Sequence, residues 1–248
     1  VSENEARGRP LAGRVALVTG AGRRIGRAIA LRLAREGARV AVHYDQSARE
    51  AEATAREAGE GACAFRADLR SVEEIRRLAE TVLDRMGRID FLVNNASTFG
   101  RTPFFETAEE EWDLFHDVNL KAVFFLTQAV ASRMNEGVIV NIADTGGVRL
   151  WPGYLAYGAS KAGLIGLTRG LAAALAPRIR VNAILPGPIL PPEARGVETM
   201  EEAISKTLLK RAGSPDDIAS AVRFLLVEGT FITGAALPVD GGRLAAGE

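Results

Sequence analysis

The chain reads as a single α/β domain spanning residues 1–248, a doubly wound parallel sheet of about seven strands with helices on both faces. Three observations predict this. Short apolar runs alternate with helical stretches along the whole length. The first apolar run passes through a glycine turn directly into a helix. No linker, repeat or low-complexity segment interrupts the alternation.

The first strand is expected at 14–19, where Arg14-Val-Ala-Leu-Val-Thr19 has the unbroken apolar character of a strand covered on both faces. Gly20, Gly22 and Gly26 follow, and Arg27 to Arg35 carries helical periodicity, predicting a helix over 24–36. Strand, glycine turn and helix together form the setting a dinucleotide phosphate site requires. Glycines permit the tight turn, and the helix N-terminus offers free N–H groups to a pyrophosphate.

Further strands are expected near 39–44, 62–67, 89–93, 137–142, 179–184 and 235–238. The intervening helices fall near 47–58, 71–86, 109–133 (long enough to break), 155–176 and 215–227. After Pro186 the rhythm fails. Gly187-Pro-Ile-Leu-Pro-Pro192 cannot be regular structure, and Glu198 to Arg211 reads as an extra helix. An excursion over 187–211, at a strand's carboxyl end, is where a lid over a substrate would sit.

Composition narrows the function. The 31 basic and 31 acidic residues cancel and are interspersed, so no basic face offers itself to nucleic acid or an anionic membrane. No apolar run approaches the roughly 20 residues of a membrane span. The first ten residues form a polar extension without an apolar signal core, so a cytoplasmic location is expected. Cys63 is the only cysteine and is expected to be an inert buried residue; with only His43 and His116 besides, no metal site is predicted.

Tyr157 and Lys161 stand four residues apart in Tyr-Gly-Ala-Ser-Lys, which places them on one helix face. A phenol with a pKa of roughly 10 donates protons poorly at neutral pH, and a neighbouring ammonium is expected to lower that value. The same helix, Leu155 to Ala176, is apolar and small-residue-rich on every side. A helix apolar all round needs cover on both faces, which predicts association with a second copy.

Several segments now fall into one pattern: Thr19-Gly20 with its glycine turn, Ala67-Asp68-Leu69, Asn94-Asn95-Ala96, Asn119, Tyr157 with Lys161, Pro186-Gly187, and Thr233-Gly234 followed by Val239-Asp240-Gly241-Gly242. In this order, and over essentially the whole chain, they resemble the short-chain dehydrogenase/reductase family and its Rossmann-type fold. The resemblance implies a cofactor held by Gly20, Arg23, Arg24, Ile25, His43, Tyr44, Ser47, Asp68, Leu69, Asn95, Ala96, Ser97, Tyr157, Lys161, Pro186, Gly187 and Ile189. It implies Tyr157 as proton donor, Lys161 as its partner, Asn119 as support for a relay water, and a homotetramer.

Two departures bear on substrate. Arg24 occupies the place of a family glycine, and Asp144 the place of the family's catalytic serine. Both, with Asn95-Ala-Ser-Thr-Phe99, look like the pteridine reductase subgroup. That likeness implies substrate contacts from Arg24, Ser97, Phe99, Asp144 and Tyr157. A serine hydroxyl suits ketone reduction because it donates to the developing alkoxide, which an ionised carboxylate would repel. A carboxylate can instead accept from pterin N–H groups or, when protonated, deliver a proton to nitrogen.

For the cofactor, the place where NAD-using relatives carry an acid is Tyr44, while Arg24 and Ser47 could hold a 2′-phosphate. NADPH (NADP+) is therefore expected over NADH, with Asp45 next door as the contrary signal. The sequence thus points to an NADPH-dependent pteridine reductase acting on a pterin-like small molecule. One alternative is a reductase of 3-oxoacyl thioesters or small carbonyl compounds. Another, of a different class, is a nucleotide-binding sensor without catalysis.

Overall fold

The computed structural model describes residues 9–191 and 199–246. Seven strands form one sheet: β1 (Val15–Val18), β2 (Arg39–Tyr44), β3 (Cys63–Arg66), β4 (Phe91–Asn94), β5 (Gly137–Ile142), β6 (Ile179–Pro186) and β7 (Ala236–Val239). Every neighbouring pair is parallel. The strand order is β3-β2-β1-β4-β5-β6-β7, so the direction of winding reverses between β1 and β4. In such sheets ligands bind beyond the carboxyl ends of the strands at that reversal.

The principal helices are α1 (Arg24–Arg35), α2 (Ala48–Ala58), α3 (Val72–Met86), α4 (Glu109–His116), α5 (Ala122–Ala131), α6 (Leu155–Leu175), α7 (Met200–Ser205) and α8 (Pro215–Val227). The apolar faces of α1, α2 and α8 join one side of the sheet in a core with Val18, Val40, Val93 and Val140. Helices α3, α5 and α6 cover the other side, where Leu17, Leu92, Ile139 and Val181 point. The alternation of side chains along each strand thus feeds two separate cores, which is why the strands read as continuously apolar.

One expected break is located and two expectations change. The helix predicted over 109–133 is broken into α4 and α5 by a π-helical segment, Asp117–Lys121, in which the Ala122 N–H reaches back to the Asp117 carbonyl. Cys63 is half-buried, because β3 is an edge strand with one side open. The extra helix is only α7, shorter than the span expected from 198 to 211, and residues 192–198 of the predicted lid lie outside the described residues. Residues 1–8 of the polar extension do too.

The turn from β1 to α1 depends on close approach. Gly20 has a φ of +61°, and a Cβ there would sit 3.0 Å from the Ala96 Cα. A Cβ on Gly26 would run into the Gly20 carbonyl and the Asn95 amide. Gly26→Ala should therefore cost about 1–3 kcal/mol of stability, the usual penalty of forced overpacking. Urea denaturation checks this; an unchanged midpoint would mean that the turn relaxes freely.

Candidate active site

A cleft of about 1610 Å³ opens at the β1–β4 reversal and runs from the end of β3 to the start of α6. Its walls include Gly20, Arg23, Arg24, Ile25, His43, Tyr44, Ser47, Asp68, Leu69, Asn95, Ala96, Ser97, Phe99, Asp144, Tyr157, Lys161, Pro186, Gly187 and Ile189. The residues expected to bind cofactor or substrate or to act in catalysis are thereby brought together except Asn119, which lies buried beneath the Ser97–Thr98 loop.

At the β1–β4 end the wall is held by a clamp. The Asn95 side-chain amide donates to the Thr19 carbonyl at 2.8 Å and to the Gly20 carbonyl at 3.2 Å. In return the Thr19 hydroxyl accepts from the Asn95 and Ala96 N–H groups, both at 2.9 Å. His43 closes the other side. Its Nδ1 accepts from the Gly20 N–H at 3.1 Å and its Nε2 donates to the Ala67 carbonyl at 3.1 Å, so the two partners fix the tautomer. The assigned cofactor residue His43 is thus a brace under the turn, 2% exposed. Helix α1 has no side-chain cap and no acid in its first turn, which leaves its leading N–H groups suited to an anion. Arg24 occupies the left-handed region with φ +53°, the backbone state for which the family uses glycine, and its Nη2 donates to the Pro191 carbonyl at 2.9 Å across the cleft.

At the other end, the Tyr157 hydroxyl donates to Asp144 Oδ2 at 2.8 Å. Asp144 Oδ1 accepts from the Gly146 N–H at 2.6 Å, where the carboxylate caps a short 3-10 turn. Lys161 is fully enclosed, with Nζ donating to the Ile142 carbonyl at 3.0 Å and lying 5.8 Å from the Tyr157 ring centre. Burial pushes Lys161 down to about 8. Burial also raises Asp144, against the opposing pull of the Gly146 and Tyr157 hydrogen bonds and the charges of Lys161 and Arg243.

The expectation for Tyr157 is reversed. Its pKa lies well above the ordinary phenol value, because burial comes first and the adjoining Asp144 carboxylate second. Lysine alone does not set that balance when a carboxylate takes the phenol's hydrogen bond.

The Asn119 side chain is bonded wholly within the protein. Its Oδ1 accepts from the Ser97 hydroxyl at 3.0 Å and the Thr98 N–H at 2.9 Å. Its Nδ2 donates to the Thr98 carbonyl and the Ser160 hydroxyl, both at 3.1 Å. The side-chain amide is saturated, and it fixes the 97–98 loop. Beside it the Thr98 hydroxyl is buried without a partner among the described residues.

Sequence reasoning missed an aromatic and basic wall. Trp151 and Tyr154 line the cleft, with Phe99 stacked on Tyr154 at 5.4 Å and edge-on to Tyr157 at 4.8 Å. Arg243, from the turn after β7, lies 5.1 Å above the Trp151 ring. The run Leu150-Trp-Pro-Gly-Tyr154, directly before the Tyr157 helix, was the available signal.

The buried imidazole carries a stability consequence. His43 is lowered to about 4 by burial, partly opposed by its bond to Ala67, whereas an unfolded histidine titrates near ~6.5. Between those values the unfolded chain binds the proton and the folded chain does not. Stability is therefore full above the unfolded value and is lost as pH falls, by on the order of 3 kcal/mol across the window. Urea midpoints from pH 7 to pH 5 should fall less steeply in His43→Asn than in wild type; parallel slopes would remove His43 as the cause.

Comparison with known proteins agrees with this geometry. The family model described as enoyl-(acyl carrier protein) reductase matches residues 20–243. A 3-oxoacyl-[acyl-carrier-protein] reductase of Synechocystis is 39% identical over 94% of this chain and 97% of its own. One of Staphylococcus aureus is 40% identical over 92% and 96%. Among solved structures, a short-chain dehydrogenase from Burkholderia cenocepacia in complex with NADP superposes with a TM-score of 0.90 at 36% identity, covering 95% of this chain and 99% of that one. A blue fluorescent protein from a metagenomic library in complex with NADPH gives 0.89 at 37%, covering 94% and 99%. These curated relatives carry the reductase name of the carbonyl alternative and not that of the pteridine subgroup. The chain belongs to the short-chain dehydrogenase/reductase family, within the group that the enoyl-(acyl carrier protein) reductase model describes.

Proposed function

We propose that this protein is an NADPH-dependent reductase of 3-oxoacyl thioesters or comparable small carbonyl compounds. The observation that carries the reading is near-full-length similarity, at 39% and 40% identity, to reductases of that name. The donor set fits the dinucleotide: a glycine turn that a Cβ would obstruct, an uncapped helix N-terminus, and a cleft reaching past Asp68. Family members of known structure with NADP or NADPH bound support the same choice.

When bound, NADPH supplies the hydride for the substrate carbon. Gly20, Arg23, Arg24 and Ile25 would take the pyrophosphate, Asp68 and Leu69 the adenine, and Tyr44 and Ser47 the ribose end. Asn95, Ala96, Ser97, Pro186, Gly187 and Ile189 would flank the nicotinamide half, with Lys161 on its ribose. Tyr157 gives its proton to the carbonyl oxygen as negative charge develops there. Asp144 takes the serine's place and would act there in its protonated form. Burial favours its protonated form, and a carboxylic acid donates to the same oxygen that a carboxylate would repel.

A second reading, pteridine reduction, is favoured by Asp144 itself and by the aromatic wall of Phe99 and Tyr154, which suits a flat heterocycle. Paired kinetics on acetoacetyl-CoA and a dihydropterin separate the two. The carbonyl reading expects wild-type turnover of the thioester, equal or faster in Asp144→Ser. It expects a loss on the order of 10²-fold or more in Tyr157→Phe, the scale of a missing positioned acid, at similar NADPH affinity. Turnover of the dihydropterin alone, abolished in Asp144→Ser, would reverse the assignment.

We further propose a homotetramer. Helix α6 leaves Gly166 and Gly170 facing open space, and Phe124 of α5 is 41% exposed. A smooth face of this kind suits a second copy across a two-fold axis. Light scattering at micromolar concentration should give four times the chain mass; a monomer would refute the proposal.

A further inference from the structure

We propose that Arg66 is the cation that makes the adenosine end of the cleft selective for a 2′-phosphate, neutralising Asp45 and bridging from it to the phosphate. The inference rests on the NADPH reading and deepens it. A carboxylate beside the ribose site accepts from ribose hydroxyls and repels a 2′-phosphate. Asp45 stands there, lining the cleft directly after Tyr44, the last residue of β2. Its presence argues against NADPH unless a cation offsets it.

The sheet register supplies that cation. Tyr44 pairs with Arg66 of β3, so the Arg66 backbone stands one strand over from the ribose site; its side chain lies at the rim outside the cleft wall and reaches the ribose only by swinging about its Asp45 contact. Its Nε donates to the Asp45 carbonyl at 3.3 Å, and Nη2 lies 4.0 Å from Asp45 Oδ1. The contact is loose and wet, with the side chains 68% and 36% exposed, a geometry that holds a guanidinium weakly.

Arg70, a neighbouring arginine that does line the cleft, differs. It grips Asp68 through Nε at 3.0 Å to both carboxylate oxygens and through Nη2 at 2.6 Å to Oδ2. Asp68 holds Arg70 firmly, whereas Asp45 leaves Arg66 room to turn. Five N–H donors in a planar fork allow Arg66 to keep the Asp45 carbonyl while offering a charge-assisted pair to a phosphate dianion.

The test is kcat/KM for NADPH and NADH, at fixed substrate and ionic strength, in wild type, Arg66→Ala, Arg66→Lys, Asp45→Asn and the Arg66→Ala/Asp45→Asn double variant. Arg66→Ala should lower the NADPH-to-NADH ratio on the order of tenfold, the value of one charge-assisted phosphate contact. Arg66→Lys should recover part of it, and Asp45→Asn should raise the ratio. The Arg66→Ala loss should shrink in the Asp45→Asn background, because part of it is an uncovered carboxylate. An equal fall with both cofactors would mean only a structural role and overturn the proposal, as would an unchanged ratio or an undiminished loss in the double variant. Wild type without preference for NADPH would instead overturn the cofactor reading beneath it.

Discussion

The meeting of Thr19 and Asn95 across the β1–β4 reversal is the constraint on which the rest of the cleft depends. At this point the crossovers leave in opposite directions, and the backbone groups at the strand ends lose their ladder partners. Two side chains replace those partners: Asn95 covers the Thr19 and Gly20 carbonyls, and the Thr19 hydroxyl covers two N–H groups. The glycine turn is then pinned from below by His43 and admitted at close range by Gly26. The glycine-turn end of the cleft is therefore braced before any ligand arrives, as preorganised binding requires.

The chemical end is held by a second polar chain that starts on the same strand. Asn94 donates to Asn141 at 2.9 Å, and Asn141 donates to the Thr168 hydroxyl at 2.9 Å, tying β4 through β5 to α6. Lys161 on that helix reaches the Ile142 carbonyl at the end of β5, two residues before Asp144. The buried amides contribute modest net stability, but leaving any one unpaired would cost more. They set the distance between the helix bearing Tyr157 and the strand end bearing Asp144.

Much of this was legible in the sequence for identifiable reasons. Parallel strands covered on both faces announce themselves as apolar runs, and the glycine turn between β1 and α1 has few alternative readings. The residues that the family resemblance implied for the site, Asn119 apart, all line the cleft. What escaped depends on through-space partners. The π-helical break that carries Asn119 leaves no mark in composition, and its saturated amide could be known only from the Ser97–Thr98 loop lying over it. Likewise, i, i+4 spacing set Lys161 beside Tyr157 but could not reveal that the hydroxyl is claimed by Asp144, thirteen residues earlier in the chain. Arg243 comes to Trp151 only because β7 joins the sheet beside β6.

Asp144 links substrate choice to protonation. As a carboxylate it holds the Tyr157 proton in place and raises the cost of releasing it. As a neutral acid it frees that hydroxyl and becomes a second donor to the same small volume, a single O–H as in serine but far more acidic. Burial favours the neutral form, while Lys161 and Arg243 favour the charged one. The two substrate readings therefore differ less in which residues they use than in which of these states meets the substrate. A carbonyl oxygen gaining negative charge selects the acid, and a heterocycle presenting N–H donors selects the carboxylate.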